Sequence, residues 1–367
     1  MIMKKTYKFK LEPNQEQEAN MNWVLMMCRQ LYNAMLEQRI FAYKTRGVGI
    51  HYYGQKKELP LLKQEVPEYK QIQSQVLQDV AERLDKAFQA FFRRLKAKQK
   101  AGFPRFQGDN RYHSFTYPQS GFALSGKCLK LSKIGNVRIK CHRQIEGTIK
   151  TCTIRRQNNK WYACFSCEID VEPAPATGEE IGIDLGILNL ATASNGDLYE
   201  NHRFLKQSEK KIHYWNKILS RRKKGSRRWH KAKQQLTKAY EQLANRRRDR
   251  AHKVSRQLAD QYDLIAFEDL NIQDMVKHKT LSKWILDASW RSLVVYTTYK
   301  AEEAGKCVIQ VNPQNTSQEC SNCHLIVRKS LGERTHCCPD CGYTVDRDVN
   351  AARNILSRAK GKLETAS

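Results

Sequence analysis

Acid is in short supply in this chain of 367 residues: 37 Asp and Glu stand against 65 Lys and Arg, a formal charge of +28. Such an imbalance is difficult to reconcile with a surface of balanced charges, and it calls for an anionic partner, of which nucleic acid is the commonest. No continuous apolar run is long enough to span a bilayer, and no basic stretch leads into an apolar one at the N-terminus. Neither an anchor nor a secretory leader is therefore expected, and the cytoplasm is the expected compartment. Also missing is a compact helix carrying several base-edge donors and acceptors, the usual means by which a protein reads DNA itself. Cysteine is not scarce. In a reducing compartment the 12 cysteines suit thiols or metal ligands better than disulfides.

The length is enough for two or three domains. Residues 3–11 alternate polar and apolar, which predicts a half-exposed strand ended by Pro13. Asn14 followed by Gln17 has the form of a capping box, and Val24, Cys28, Leu31 and Met35 recur at helical spacing. A second amphipathic helix has Val76, Val80, Leu84, Phe88, Phe91 and Leu95 as its expected buried stripe, with Ser74, Gln75 and Gln78 off that stripe. Gly102 to Phe106 closes the helical region, and from about residue 111 the period becomes two. Short strands separated by turns at Gly126, Gly135, Gly147 and Asn158–Asn159 predict a small barrel. The first strand joins it, which makes the helical region an insertion. Pro173, Pro175 and Gly178 mark the next boundary.

Beyond that boundary the pattern is mixed α/β, with a parallel strand after a helical crossover. Ile181 to Ile187 reads as a buried strand with one carboxylate, Asp184, at its centre. Burying an ionised carboxylate costs several kcal/mol unless something pairs with it. Residues 264–270 form a second apolar strand ending in Glu268 and Asp269, and Asp346 and Asp348 stand at the start of a helix. Taken singly, Asp184 could be a paired core acid and Asp348 a helix cap. Taken jointly, Asp184, Glu268 and Asp348 on three elements suit two-metal phosphodiester cleavage. One carboxylate bridges two Mg²⁺ ions about 3.5–4 Å apart and the others hold one each. Asp269 and Asp346 are neighbours outside that set.

Between these strands, residues 203–253 carry 19 Lys or Arg against Glu209, Glu241 and Asp249. A solvated helix face is the ordinary account of a charge run. Here Leu236, Tyr240, Leu243, Ala251, Val254 and Leu258 predict a helix packed by one stripe. Its other faces would offer Arg221, Arg222, Lys223, Lys224, Arg227, Arg228, Arg246, Arg247 and Arg248 to phosphate backbones without reading sequence. Further on, Cys320–Cys323 and Cys338–Cys341 are Cys-x-x-Cys pairs separated by 14 residues, close to the spacing of a four-thiolate zinc site. Cys337 is a spare. Cys164 and Cys167, three apart on a strand, point to opposite faces and cannot share a metal without a bulge.

Together, Gly182-Ile183-Asp184-Leu185-Gly186, Phe267 to Leu270, Thr316-Ser317-Gln318 before the first Cys pair, Cys338-Pro339 to Gly342, and Asp346-Arg347-Asp348 with Asn350-Ala351-Ala352 closely resemble the transposon-encoded TnpB proteins. These are RNA-guided nucleases related to type V CRISPR effectors, and the resemblance covers essentially the whole chain. It implies a wedge-type β-barrel (1–13 and 110–177) with an inserted helical recognition region (14–109). It also implies a RuvC-like nuclease domain of RNase H fold (178–315 and 343–360), a zinc-binding target-nucleic-acid module (316–342) and a flexible tail (361–367). By motif match the catalytic acids are Asp184, Glu268 and Asp348, with two Mg²⁺ or Mn²⁺ ions, and one structural zinc sits on the four cysteines. The implied partners are a guide RNA from the transposon end and a double-stranded DNA target, in a monomeric ribonucleoprotein. Gln75, Gln78 and Thr116 are candidates for reading a short flanking motif, although plain exposure accounts for them equally. A strand-joining transposase could use the same fold and acids, whereas a non-cleaving guided regulator would need a broken triad.

Overall fold

The alternating opening of the chain forms strand β1 (Ile2–Glu12), with Tyr7, Phe9 and Leu11 turned inward and buried. It belongs to the first of two units, residues 1–170 and 171–367, in a computed structural model that describes residues 2–109, 111–277, 279–330 and 332–365. Asn14 caps α1 (Gln15–Arg46). Its side chain accepts from Gln17 N at 2.8 Å and the Gln17 side chain accepts from Asn14 N at 3.1 Å, the expected reciprocal box. Helices α2 (Tyr52–Glu65) and α3 (Ser74–Lys96) complete the helical region. Val76, Val80 and Leu84 are buried as expected, but the stripe gives out beyond them and Leu95 is 50% exposed. Phe88 and Phe91 meet Phe103 edge to face, and Arg39 of α1 lies over the Phe88 ring at 5.1 Å, while the last turn of α3 is left exposed.

The remaining strands of this unit are β2 (Ser114–Tyr117), β3 (Phe122–Ser125), β4 (Cys128–Leu131), β5 (Gly135–Lys140), β6 (Thr148–Gln157) and β7 (Lys160–Asp170). They form one antiparallel sheet in the order β2-β6-β7-β1-β5-β4-β3, rolled into a near-barrel. β1 sits at its centre, in register from Ile2↔Asp170 to Leu11↔Trp161 with β7 and from Lys10↔Lys140 with β5. The helices are thus an excursion between two strands of one sheet. Across the open seam, Tyr117 of β2 donates its hydroxyl to Ser132 O at 3.0 Å, just past β4. The Asn158–Asn159 turn has positive φ at both residues (51° and 57°), the tight turn that matches strand twist. Cys164 is half-buried and Cys167 fully buried on opposite faces of β7, as their spacing predicts.

In the second unit β8 (Glu180–Asp184), β9 (Asn189–Ala193) and β10 (Leu198–Glu200) form a meander, followed by a helical hairpin of α4 (Phe204–Ser220) and α5 (Arg227–Gln261). Then come β11 (Leu264–Glu268), short helices α6 (Ile272–Met275) and α7 (Ser282–Ala288), α8 (Trp290–Glu303) and β12 (Cys307–Val311). A hairpin of β13 (Thr335–Cys337) and β14 (Thr344–Asp346) leads into α9 (Arg347–Glu364). The sheet order is β10-β9-β8-β11-β12, with β8, β11 and β12 parallel. Ile265 and Phe267 face α5 and α8 through Val254, Leu258 and Leu293, whereas Ala266 and Val311 face Ile355 and Ala359 of α9. Alternation along β11 therefore puts helices on both faces. Two expectations need correction. Tyr240 is 47% exposed and Ala239 takes its place in the stripe, packing with Leu243 on Ile212 of α4. The segment expected as a tail from 361 continues α9 as helix to Glu364 even though Gly361 stands in its last turn; residues 366 and 367 lie outside the described residues.

Candidate metal centres and nucleic-acid surface

Parallel pairing brings two acids to one edge of the second sheet. Ile183 is in register with Phe267, so Asp184 and Glu268 are the next residues on neighbouring strands. The third acid arrives on α9, which lies against β8 because Gly182 has no side chain. A Cβ there would stand 2.9 Å from Leu356 N and closer still to Ala352 O. The cap of α9 is Asp346, whose Oδ1 accepts from Asp348 N at 2.8 Å and Val349 N at 3.2 Å. With capping assigned to Asp346, the Asp348 carboxylate in the first turn is left to face the acids, with Arg334 as a distant ion-pair partner at 3.7 Å.

Electrostatics bind the three together. Burial pushes the Asp184 carboxyl well above the usual carboxylate range, and repulsion from Glu268 and Asp348 pushes it further. Glu268 is raised by burial, with partial relief from the Thr316 hydroxyl, which donates to Oε1, and from Arg358. Burial and then Asp346 raise Asp348, against Arg334 and Arg347. Burial raises all three, and Asp184 is raised further by the other two; a hard divalent cation held by these oxygens would relieve that cost.

The four cysteines form a second centre. Their sulfurs all lie within 4.8 Å of one another, with Cys320 Sγ 3.7 Å from Cys341 Sγ and Cys323 Sγ 3.5 Å from Cys338 Sγ. Tetrahedral zinc with Zn–S of about 2.3 Å requires sulfurs about 3.8 Å apart, so the donor set and its size fit that ion. Tight turns shape both pairs: Cys320 N donates to Leu325 O and Cys338 N to Tyr343 O, each at 2.9 Å. Cys337 is exposed, accepts from Thr344 Oγ1 at 3.5 Å and stays outside the cluster.

Sequence reasoning missed what joins the two centres. Asn350 of α9 accepts from Ser321 N at 3.0 Å and donates to Glu319 O at 2.7 Å. One turn on, Asn354 donates to Thr316 O (2.8 Å) and Glu319 O (2.7 Å); a further turn on, Arg358 holds the Glu319 carboxylate at 2.6 Å. The helix that carries Asp348 thus clamps the stem of the cysteine module, and Thr316 in that stem bonds Glu268. The signal was available: Asn350, Asn354 and Arg358 recur every four residues beside an apolar stripe, and the two asparagines are buried.

The basic run occupies the α4–α5 hairpin. Arg221, Arg222, Lys223 and Lys224 lie exposed in its turn, Arg227 and Arg228 begin α5, and Arg248 is exposed farther along. Arg246 stacks over Phe204 at 4.6 Å and bonds Gln207. Arg247 is committed internally, donating from Nε (2.8 Å) and Nη2 (2.7 Å) to buried Asp287. In the first unit, Gln75 accepts from Ser120 N and Oγ at 3.1 and 3.2 Å, and Gln78 is half-buried. The Thr116 hydroxyl is engaged by Arg83 at 2.6 Å and Thr153 at 2.9 Å. Among the described residues no helix is long and apolar enough to cross a membrane.

A comparison with characterised proteins places the chain. It is 31% identical to "Putative RNA-guided DNA endonuclease InsQ" of Escherichia coli (strain K12), over 96% of this chain and 91% of that protein. The chain belongs to the TnpB family. A TnpB relative from Streptomyces pristinaespiralis, "Putative RNA-guided DNA endonuclease", is 29% identical over 97% of this chain and 89% of its own length. The OrfB family model described as "Probable transposase" matches residues 164–279, and that described as "Cas12f1-like, TNB domain" matches 290–355, which contain the four cysteines. A "Helix-turn-helix domain" model matches residues 1–47, which fold here as β1 and the single helix α1. The solved structure of "the mini-RNA-guided endonuclease CRISPR-Cas_phi3" is similar in fold, with a TM-score of 0.51 and 11% identity over 97% of this chain and 92% of that one.

Proposed function

We propose that this TnpB-family chain is an RNA-guided endonuclease of a transposable element that hydrolyses target DNA beside a short flanking motif. The observation that supports the reading is the parallel register that makes Asp184 and Glu268 the next residues on adjacent strands, with Asp348 near enough to raise the Asp184 carboxyl. Two Mg²⁺ or Mn²⁺ ions bound there would activate the attacking water and stabilise the leaving oxygen. Asp184, which both of the other acids repel, would hold the ions together with Glu268 and Asp348. Glu268 is aimed by the Thr316 hydroxyl and Asp348 by the Asp346 cap. The sheet and α9 constitute a RuvC-like nuclease domain over 178–315 and 343–360. The module at 316–342 holds one structural zinc whose four thiolates leave no position for substrate. The near-barrel (1–13 and 110–177) and the helical insertion (14–109) hold the guide and the flanking duplex. The similarity to InsQ, named a putative RNA-guided DNA endonuclease, supports the activity, and the exposed basic hairpin supports backbone binding.

Exchanging the pairing segment of the guide RNA, with the protein unchanged, is the test. Cleavage is expected to move to the newly matching DNA that carries the same flanking motif. RNA-free protein cutting one fixed sequence, regardless of guide, would overturn the reading. The printed description "Probable transposase" favours a second reading, strand transfer by the same acids; incubation with transposon ends is expected to yield no joined product.

A further inference from the structure

Outside both metal centres, a polar cavity of about 500 Å³ lies in the first unit between α1, the segment before β2 and the β6–β7 turn. That size falls within the range, roughly 300–1,000 Å³, of pockets that take a small ligand. Its wall is rich in donors. Arg29, Arg155 and Arg156 bring three guanidiniums against one carboxylate, Asp109, which Arg29 already holds at 2.8 Å. Arg156 donates to Asn22 Oδ1 at 2.9 Å and to Asn159 Oδ1 at 3.3 Å. Because those bonds occupy the amide oxygens, both asparagines keep their NH₂ groups as further donors. Asn159 is held rigidly by the positive-φ turn, while Leu25 and Tyr112, both largely buried, supply an apolar side.

A surplus of donors beside an apolar patch suits a ligand that combines an acceptor-only anion with a flat, weakly polar body. We infer that this cavity takes one phosphodiester-linked nucleotide of a bound strand, with its phosphate on the guanidiniums and its sugar and base toward Leu25 and Tyr112. The inference rests on the nucleic-acid reading above and adds an anchoring point within the first unit. Guide RNA and target DNA both present this chemistry, and the experiment separates them.

Full-length wild type is compared with Asn22→Asp, Arg155→Gln and the exposed control Lys362→Gln, at the end of α9. Asn22→Asp still accepts from Arg156, so the wall is preserved while a carboxylate enters the cavity. Arg155→Gln removes an exposed guanidinium at no cost to the core. Affinity is measured over a salt series for RNA from the flanking locus, and for a matched target duplex with the assembled ribonucleoprotein. Both cavity variants are expected to weaken binding of one ligand about tenfold and to reduce its salt slope by about one, with Lys362→Gln unchanged. A shift in RNA binding assigns the pocket to the guide, and a shift in DNA binding alone assigns it to the target. Unchanged affinities in both variants, at wild-type melting temperature and with steep salt dependence retained, would overturn the pocket and leave the nucleic-acid reading standing. Wild type that binds neither ligand in a salt-dependent way would overturn that reading itself.

Discussion

At the scale of single residues, Asp184 is held where its ionised form is disfavoured by burial and by Glu268 and Asp348. Asp184→Asn therefore should raise the stability of the magnesium-free protein, on the order of 1–4 kcal/mol, while abolishing cleavage. Added Mg²⁺ should reverse the order of stability, because a cation that binds only the folded wild type stabilises it by mass action. Thermal unfolding with and without Mg²⁺ reads both, and equal stabilisation of the two proteins by Mg²⁺ would remove Asp184 from the ligand set. A second buried ion is independent of the site. Lys300 of α8 donates to His252 O at 2.6 Å and Ser255 Oγ at 2.7 Å, and burial brings its ammonium down to about 8. In the unfolded chain the same group keeps its ordinary, higher value. Between the two values the unfolded state binds more protons, so wild type gains stability as pH rises through that window. Relative to Lys300→Met, wild type should gain roughly 1–3 kcal/mol between about pH 7.5 and pH 10, since each tenfold difference in proton affinity between the two states is worth about 1.4 kcal/mol. Parallel stability curves for the two proteins would contradict this.

At the scale of elements, the position of α9 decides whether the acids meet. Gly182 allows the helix to touch β8, and nothing flexible stands in the way of an added methyl: the nearest atoms are the backbone of Ala352 and Leu356. Gly182→Ala should push α9 off the strand. The expected cost is about 1–3 kcal/mol, the usual range for overpacking, together with loss of cleavage. Zinc content should stay at wild type, since the cysteines do not depend on that contact. Urea denaturation, metal analysis and a cleavage assay separate these effects, and a Gly182→Ala protein that cuts at the wild-type rate would show that α9 can be displaced without harm. The capping box of α1, the central strands and both cysteine turns were legible in the sequence because each depends on residues within a few positions of one another. Helices α6 and α7 were not, being too short for a periodic stripe.

At the scale of the molecule, the cysteine cluster and the three acids are mechanically joined. The stem of the cysteine module is clamped by Asn350, Asn354 and Arg358, and its Thr316 orients Glu268. Losing zinc should accordingly disturb catalysis some distance from the thiols. Cys320→Ser is expected to lower zinc below one per chain, loosen residues 312–346 in hydrogen exchange, and reduce cleavage at least tenfold. Reduced zinc with undiminished cleavage would show that the clamp holds without the metal. The excess of base over acid acts at this same scale, since a charge of +28 favours any polyanion and confers no choice among sequences.

The sequence by itself determined the strand that begins the near-barrel, the starts of α1 and α9, the four thiols and the three acids, because pattern and spacing express local backbone preferences. It also contained the large basic surplus, a property of composition alone. Only the tertiary structure decided that Asp346 caps while Asp348 faces Asp184, since both acids suit a helix start and the choice depends on where α9 lies on β8. It alone showed Arg247 paired with Asp287, Tyr240 and Leu95 left open, and the cysteine module tied to α9. Each of these depends on which residues distant in the chain come to stand side by side, and no local pattern specifies that.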